Sequence, residues 1–237
     1  MNRKTLKLIA VLSALATINA CGNQSESDKV HQSEKVPSQT EIHSSNGNVE
    51  AGKSVYVTCQ ACHGEKGEGN QDLFAPSLVN LESWYLERQL NNFRNGLRGY
   101  DPSDIHGQQM ATIAKTLTED DQVKDVVAYI ETLSDIDPEI SLKGNIDNGK
   151  SHYQMICGAC HGPDARGNKA LNAPGLAGLD DWYFKNQVEH FQNGLRGTHT
   201  EDIFGAQMQA ISKSLPDEQS IDDVISYIQS LKQEKGS

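Results

Sequence analysis

A chain of 237 residues with a formal net charge of -11 has room for one or two domains and too little positive charge to neutralise a phosphate backbone. This excludes nucleic acid as a partner and favours a basic protein surface. Only 36% of the residues are hydrophobic and 6% aromatic, a thin supply for two cores, so a buried cofactor would help to fill them.

The first segment reads as a processing signal. Arg3, Lys4 and Lys7 precede a 13-residue apolar run at 8–20, too short for an ordinary transmembrane helix. The run ends in Ile18-Asn19-Ala20-Cys21, which resembles the lipobox of bacterial lipoproteins. That resemblance implies cleavage after residue 20 and lipidation of Cys21. Gly22 rather than Asp at the next position implies an outer-membrane rather than an inner-membrane anchor. An ordinary secretory signal cleaved at the same point is the alternative. Cysteine arithmetic favours the lipid: four of the five cysteines fall in two repeated words, and Cys21 is the odd one. Residues 21–48 are rich in Ser, Gln and Glu and read as a disordered tether reaching roughly 30 Å. His31 and His43 within it read as solvated.

The rest of the chain is written twice. Residues 59–133 align with 157–231 without a gap at an offset of 98, with 34 of 75 positions identical. The expected boundaries are 49–134 for the first domain, 135–146 for a linker holding Pro138 and Gly144, and 147–233 for the second. Each copy reads as three helices. The first, from residue 51 or its equivalent, runs into a Cys-x-x-Cys-His word. The second, 83–96, carries Trp84, Leu90 and Phe93 at helical spacing and closes on Gly96. The third, 118–133, starts with a cap-like Thr118-x-x-Asp121 and places Val123, Val126, Val127, Ile130 and Leu133 in one stripe. No segment alternates as a strand does, so the fold class is all-α.

The two words are "CQACHG" from Cys59 and "CGACHG" from Cys157. A structural zinc site takes four ligands, and each copy offers three consecutive candidates without a second pair at finger spacing. A redox dithiol belongs beside a βαβ pattern and leaves the following histidine without a role. Haem c uses every residue. Cys59 and Cys62, or Cys157 and Cys160, sit on one side of a helix and can form two thioethers, while His63 or His161 reaches the iron. A second axial ligand should then recur in both copies. Met110 and Met208 each lie 47 residues beyond their histidine, whereas Met155, two residues before Cys157 and on the histidine side, has Val57 as its counterpart. His/Met ligation raises the potential of the iron and suits an electron carrier.

On these residues the repeats look like class I cytochrome c domains, and the tandem pair is similar to the dihaem cytochrome c4 group. The resemblance implies a small fold of three to five helices wrapped round each covalently attached haem. It also implies that Pro76 and Pro174 offer backbone carbonyls to His63 and His161. Trp84 and Trp182 are expected in the haem-packing core rather than as propionate donors. Arg98 and Arg196 read equally as propionate partners or as solvated side chains. His152, His190 and His199 lack histidine counterparts and are expected on the surface. The function expected is electron transfer by two haem c groups in the periplasm, between partners such as a quinol-oxidising complex and a terminal oxidase or reductase. The cytochrome subunit of a periplasmic dehydrogenase is the alternative. A dihaem peroxidase needs one haem with an open site, and the equal Met spacing argues against it.

Overall fold

The computed structural model describes residues 46–233; the signal, Cys21 and nearly all of the tether lie outside the described residues. Within them, the first repeat holds α1 (Val49–His63), α2 (Ser83–Arg94), α3 (Ile105–Ala114) and α4 (Asp120–Glu131). The second holds α5 (Ile146–His152), a π turn (Tyr153–Cys157), α6 (Gly158–His161), α7 (Asp181–Gln192), α8 (Ile203–Ser212) and α9 (Glu218–Gln233). Short 3₁₀ turns stand at Gln71–Leu73 and Lys169–Leu171. Among the described residues there is no strand, only the isolated bridges Asn70–Ala75 and Asn168–Ala173. No helix there is long and apolar enough to cross a membrane.

Each repeat is held by its first helix lying on its last. The stripe read from the sequence is the core: Val123, Val126, Val127 and Ile130 are buried with Tyr56, Leu86 and Leu117. Ile221, Val224, Ile225 and Ile228 are buried with Tyr153, Phe184, Val188 and Leu215. The crossing is close because a glycine sits at it: a Cβ on Gly52 would stand 1.8 Å from the Asp125 carbonyl oxygen, and one on Gly149 1.9 Å from that of Asp223.

The helix start at α4 differs from the sequence reading. Glu119, not Thr118, is the N-cap, and its N–H donates to Gln122 Oε1 at 3.1 Å. Gly96 closes α2 as expected, at φ 77° with the Leu97 N–H on the Asn92 carbonyl. The helices α3 and α8 come in addition to the three read from the pattern of each repeat and fall within the three to five that the resemblance implies. Asp104 and Asp202 cap them, each accepting the backbone N–H three residues on, at 2.8 and 2.9 Å.

The repeats also differ in register. Caps Asn48 and Asn145, glycines Gly52 and Gly149, and tyrosines Tyr56 and Tyr153 correspond at an offset of 97, whereas from the Cys-x-x-Cys-His words onward the offset is 98. The second repeat thus has one extra residue between its tyrosine and Cys157, and the helix absorbs it as the π turn. Both tyrosines keep one task on either side of this insertion: Tyr56 donates to the Gly64 carbonyl at 2.8 Å and Tyr153 to that of Gly162 at 2.6 Å.

Candidate functional site

Each first helix ends on its histidine, so α1 delivers Cys59, Cys62 and His63 to one wall, and α6 with the π turn delivers Cys157, Cys160 and His161. The chain then doubles back. Asn70 and Ala75 exchange two backbone hydrogen bonds at 2.7 and 3.0 Å, and Asn168 and Ala173 do so at 2.7 and 3.1 Å. These small loops bring Pro76 and Pro174 beneath the histidines. His63 Nδ1 lies 2.8 Å from the Pro76 carbonyl and His161 Nδ1 2.8 Å from that of Pro174. A carbonyl only accepts, so Nδ1 carries the proton and Nε2 keeps its lone pair. Both rings are buried, and burial lowers their pKa against the raising effect of the proline carbonyls. Two neutral imidazoles are thereby presented as donors.

The methionines line the same cavities as the histidines. Met110 on α3 packs on Phe93, Ala111 and Ala114. The repeated "NGLRG" turn explains the placement of α3 and α8: Gly99 and Gly197, at φ 71° and 79°, let the turn touch the next helix so closely that a Cβ would stand 2.1 and 2.2 Å from the Gly107 and Gly205 carbonyl oxygens. Between the walls lie two cavities. One, about 280 Å³, is lined by Cys59, Cys62, His63, Pro76 and Met110. The other, about 140 Å³, is lined by Cys157, Cys160, His161, Pro174 and Met208. Met155 lines neither; it is 74% exposed.

The four cysteines are free thiols. Burial pushes Cys59 up to about 11 and Cys157 up to about 12, each helped by the neighbouring cysteine. Redox dithiols need the opposite shift. Among the described residues no three His, Cys, Asp or Glu side chains converge as a metal site of their own.

The cavities meet at the boundary between the repeats, where Tyr85, Gln89, Tyr183 and Gln187 line both. Arg98 reaches Gln89 Oε1 at 2.8 Å, Gln187 Oε1 at 2.7 Å and the Tyr183 hydroxyl at 3.3 Å. Arg196 reaches Gln187 Oε1 at 2.5 Å and Gln89 Oε1 at 3.1 Å, with Tyr85 as its phenol partner. The pattern is isologous: each arginine holds the glutamine of its own repeat and that of the other. Arg98 and Arg196 are therefore not solvated. They are buried guanidiniums bonded to amide and phenol oxygens rather than to carboxylates. Buried charge calls for an opposite charge. An apolar cavity with two thiols, an imidazole, a thioether and an adjacent carboxylate-seeking arginine fits a covalently held haem with its propionates.

Two sequence expectations fail here. Trp84 and Trp182 line neither cavity and belong to neither core; Trp84 lies under Arg88, 4.9 Å from the guanidinium, and Trp182 stands edge-on to Phe74 at 6.2 Å. The next residues, Tyr85 and Tyr183, take the inward place. His190 is not on the open surface: it lines the first repeat's cavity from the second repeat, 3.9 Å from Asp104. The signal for the missed residues was present, since Tyr85 and Gln89 recur at offset 98 just as Arg98 does.

Comparison with known proteins agrees with this geometry. The Cytochrome c family model matches residues 49–134 and 146–232. The crystal structure of cytochrome c4 from Pseudomonas stutzeri superposes with a TM-score of 0.59 at 25% identity, covering 77% of this chain and 98% of that one. The cbb3-type cytochrome c oxidase subunit FixP of Sinorhizobium medicae is 31% identical over 54% of this chain and 44% of its own length. The thiosulfate dehydrogenase electron acceptor of Stutzerimonas stutzeri is 27% identical over 66% of this chain and 73% of its own. The chain thus spans less than half the length of its oxidase-subunit relative.

Proposed function

This chain belongs to the cytochrome c family as a tandem dihaem member, and we propose that it shuttles electrons between exported redox partners with both irons closed to substrate. The observation that carries the proposal is that in both repeats the two cysteines, the histidine and the methionine line one cavity. Cys59 and Cys62 anchor one haem c and Cys157 and Cys160 the other. His63 with Met110, and His161 with Met208, would ligate the two irons. Bound there, haem c supplies a one-electron ferric/ferrous couple. The chain's own part is to fix each imidazole through its proline carbonyl, exclude water from the apolar walls, and hold the propionates with Arg98 and Arg196. Both arginines stand at the shared boundary, so two haems held there would be anchored from one place in the chain and could exchange an electron within the protein. Leu73, Phe74 and Leu171, each about half exposed, line the cavity mouths and give a partner an apolar seat.

On the acceptor side, a terminal oxidase or reductase fed from a quinol-oxidising complex is the first reading, supported by the likeness to FixP. A periplasmic dehydrogenase as electron donor is a second, favoured by the fuller coverage of the thiosulfate dehydrogenase electron acceptor. The site of action is the periplasm, with Cys21 lipidated and the protein held at the outer membrane by the tether 21–48. The testing experiment is carbon monoxide addition to the reduced holoprotein at neutral pH. The spectrum should not change; full binding would overturn the carrier reading and promote a peroxidase.

A further inference from the structure

The caps of α2 and α7 do not cap. Glu82 and Asp180 occupy the N-cap positions, where an acidic side chain ordinarily accepts from its own helix, yet neither makes a side-chain cap bond. Both reach across the repeat boundary instead. Glu82 Oε1 accepts the Gly175 N–H at 2.7 Å, and Asp180 Oδ2 accepts the Ser77 N–H at 3.3 Å. Gly175 follows Pro174 and Ser77 follows Pro76. The N–H that each carboxylate holds therefore belongs to the same amide group as the carbonyl that holds the histidine of the other repeat.

An amide whose N–H is bound by a carboxylate carries more negative charge on its oxygen, because linked hydrogen bonds polarise one another. A more negative carbonyl binds the Nδ1 proton more strongly and makes Nε2 a better donor. The geometry points to Glu82 and Asp180 as positioning residues that tune, through one peptide group, the axial histidine of the opposite repeat: Glu82 acts on His161 and Asp180 on His63. This rests on the haem ligation proposed above.

The two relays are unequal. Glu82 gives Gly175 a short bond, and its second oxygen, Oε2, is buried without a hydrogen-bond partner among the described residues. Asp180 divides its carboxylate, with Oδ1 accepting the Glu139 N–H at 2.9 Å, and its bond to Ser77 is long. Residue 175 is a glycine where the first repeat has Ser77, and a Cβ there would come within 3.1 Å of Glu82 Oε1. The stronger relay therefore acts on the second haem and favours its ferric state more.

The test is the pair Glu82→Gln and Asp180→Asn in the holoprotein, each keeping an acceptor oxygen while removing the charge. Potentials are read per haem by following each haem's methyl resonances through a redox titration. In Glu82→Gln the ferrous-to-ferric ratio of the second haem at fixed ambient potential should rise on the order of tenfold, about 59 mV for one electron, with the first haem unmoved. The His161 Nδ1 proton should move upfield and that of His63 should stay. Asp180→Asn should give the crossed pattern with a smaller amplitude. An effect on the mutated repeat's own haem, an equal effect on both, or none would overturn the relay. The wild-type spectrum separates this from the premise: absence of iron-bound imidazole Nδ1 protons would sink the ligation itself, and the relay with it.

Discussion

Replacing both boundary arginines should destabilise the protein by more than the two single replacements added together. In the wild type each glutamine oxygen has two donors: Gln89 Oε1 is held by Arg98 at 2.8 Å and Arg196 at 3.1 Å, and Gln187 Oε1 by Arg98 at 2.7 Å and Arg196 at 2.5 Å. Within the polypeptide, Arg98→Met leaves both oxygens satisfied by Arg196 and strips a polar partner only from Tyr183, and Arg196→Met does the same to Tyr85; the propionate that each arginine would hold is lost once in its single variant and once in the double, so it cancels from the cycle. The double variant bares both glutamine acceptors as well. A buried acceptor left unsatisfied costs about 1–3 kcal/mol, so the excess from two is about 2–6 kcal/mol. Repulsion between the two buried guanidiniums acts in the same direction, since each single replacement already relieves it and the double relieves it only once. Denaturant unfolding of the four holoproteins, followed by far-ultraviolet circular dichroism, gives the double-mutant cycle. Additivity within about 0.5 kcal/mol would refute the shared-acceptor reasoning.

Met110→Ala and Met208→Ala should each open one site, so that the reduced variant binds carbon monoxide at half stoichiometry and the potential of that haem falls; Met155→Ala, at a 74% exposed position, should do neither. Deleting Met155 should turn the π turn into α-helix and restore the first repeat's spacing, with both haems still attached on an acid-denatured gel; loss of the second haem would show that the extra residue is required. Cys21→Ser should move the protein from the membrane to the soluble periplasmic fraction, a result that fails if the wild type is already there. Cleavage after residue 20 removes Arg3, Lys4 and Lys7 and takes the formal charge from -11 to -14. The rate of electron transfer to a basic partner should accordingly fall as ionic strength rises; a flat profile would favour docking by the apolar cavity mouths.

What could be read in the sequence was whatever lay within one repeat and obeyed a local rule. The two Cys-x-x-Cys-His words, the equal spacing to Met110 and Met208, and the stripe from Val123 to Ile130 all depend on spacing along one chain segment. The helix carrying Met110 was missed because "IHGQQMATIA" has no clear apolar stripe; it is fixed by the Asp104 cap and by the Gly99 turn beneath it. Offset 98 holds only from the Cys-x-x-Cys-His words onward, so counting back at that offset pairs Met155 with Val57 and hides the inserted residue. The choice between Trp84 and Tyr85 was settled by rotation of α2 against the other repeat. The fate of Arg98 and Arg196 was settled the same way, because their partners come from both copies.

The isologous boundary has the form of a homodimer interface, with Arg98 on Gln187 mirrored by Arg196 on Gln89. As two separate chains it would form and dissolve with dilution. Joined through the segment between α4 and α5, each half meets the other at an effective concentration in the mM range for a short linker. Two separate single-haem chains would need to be abundant to keep both sites adjacent. The fused chain keeps a two-electron inventory at any expression level.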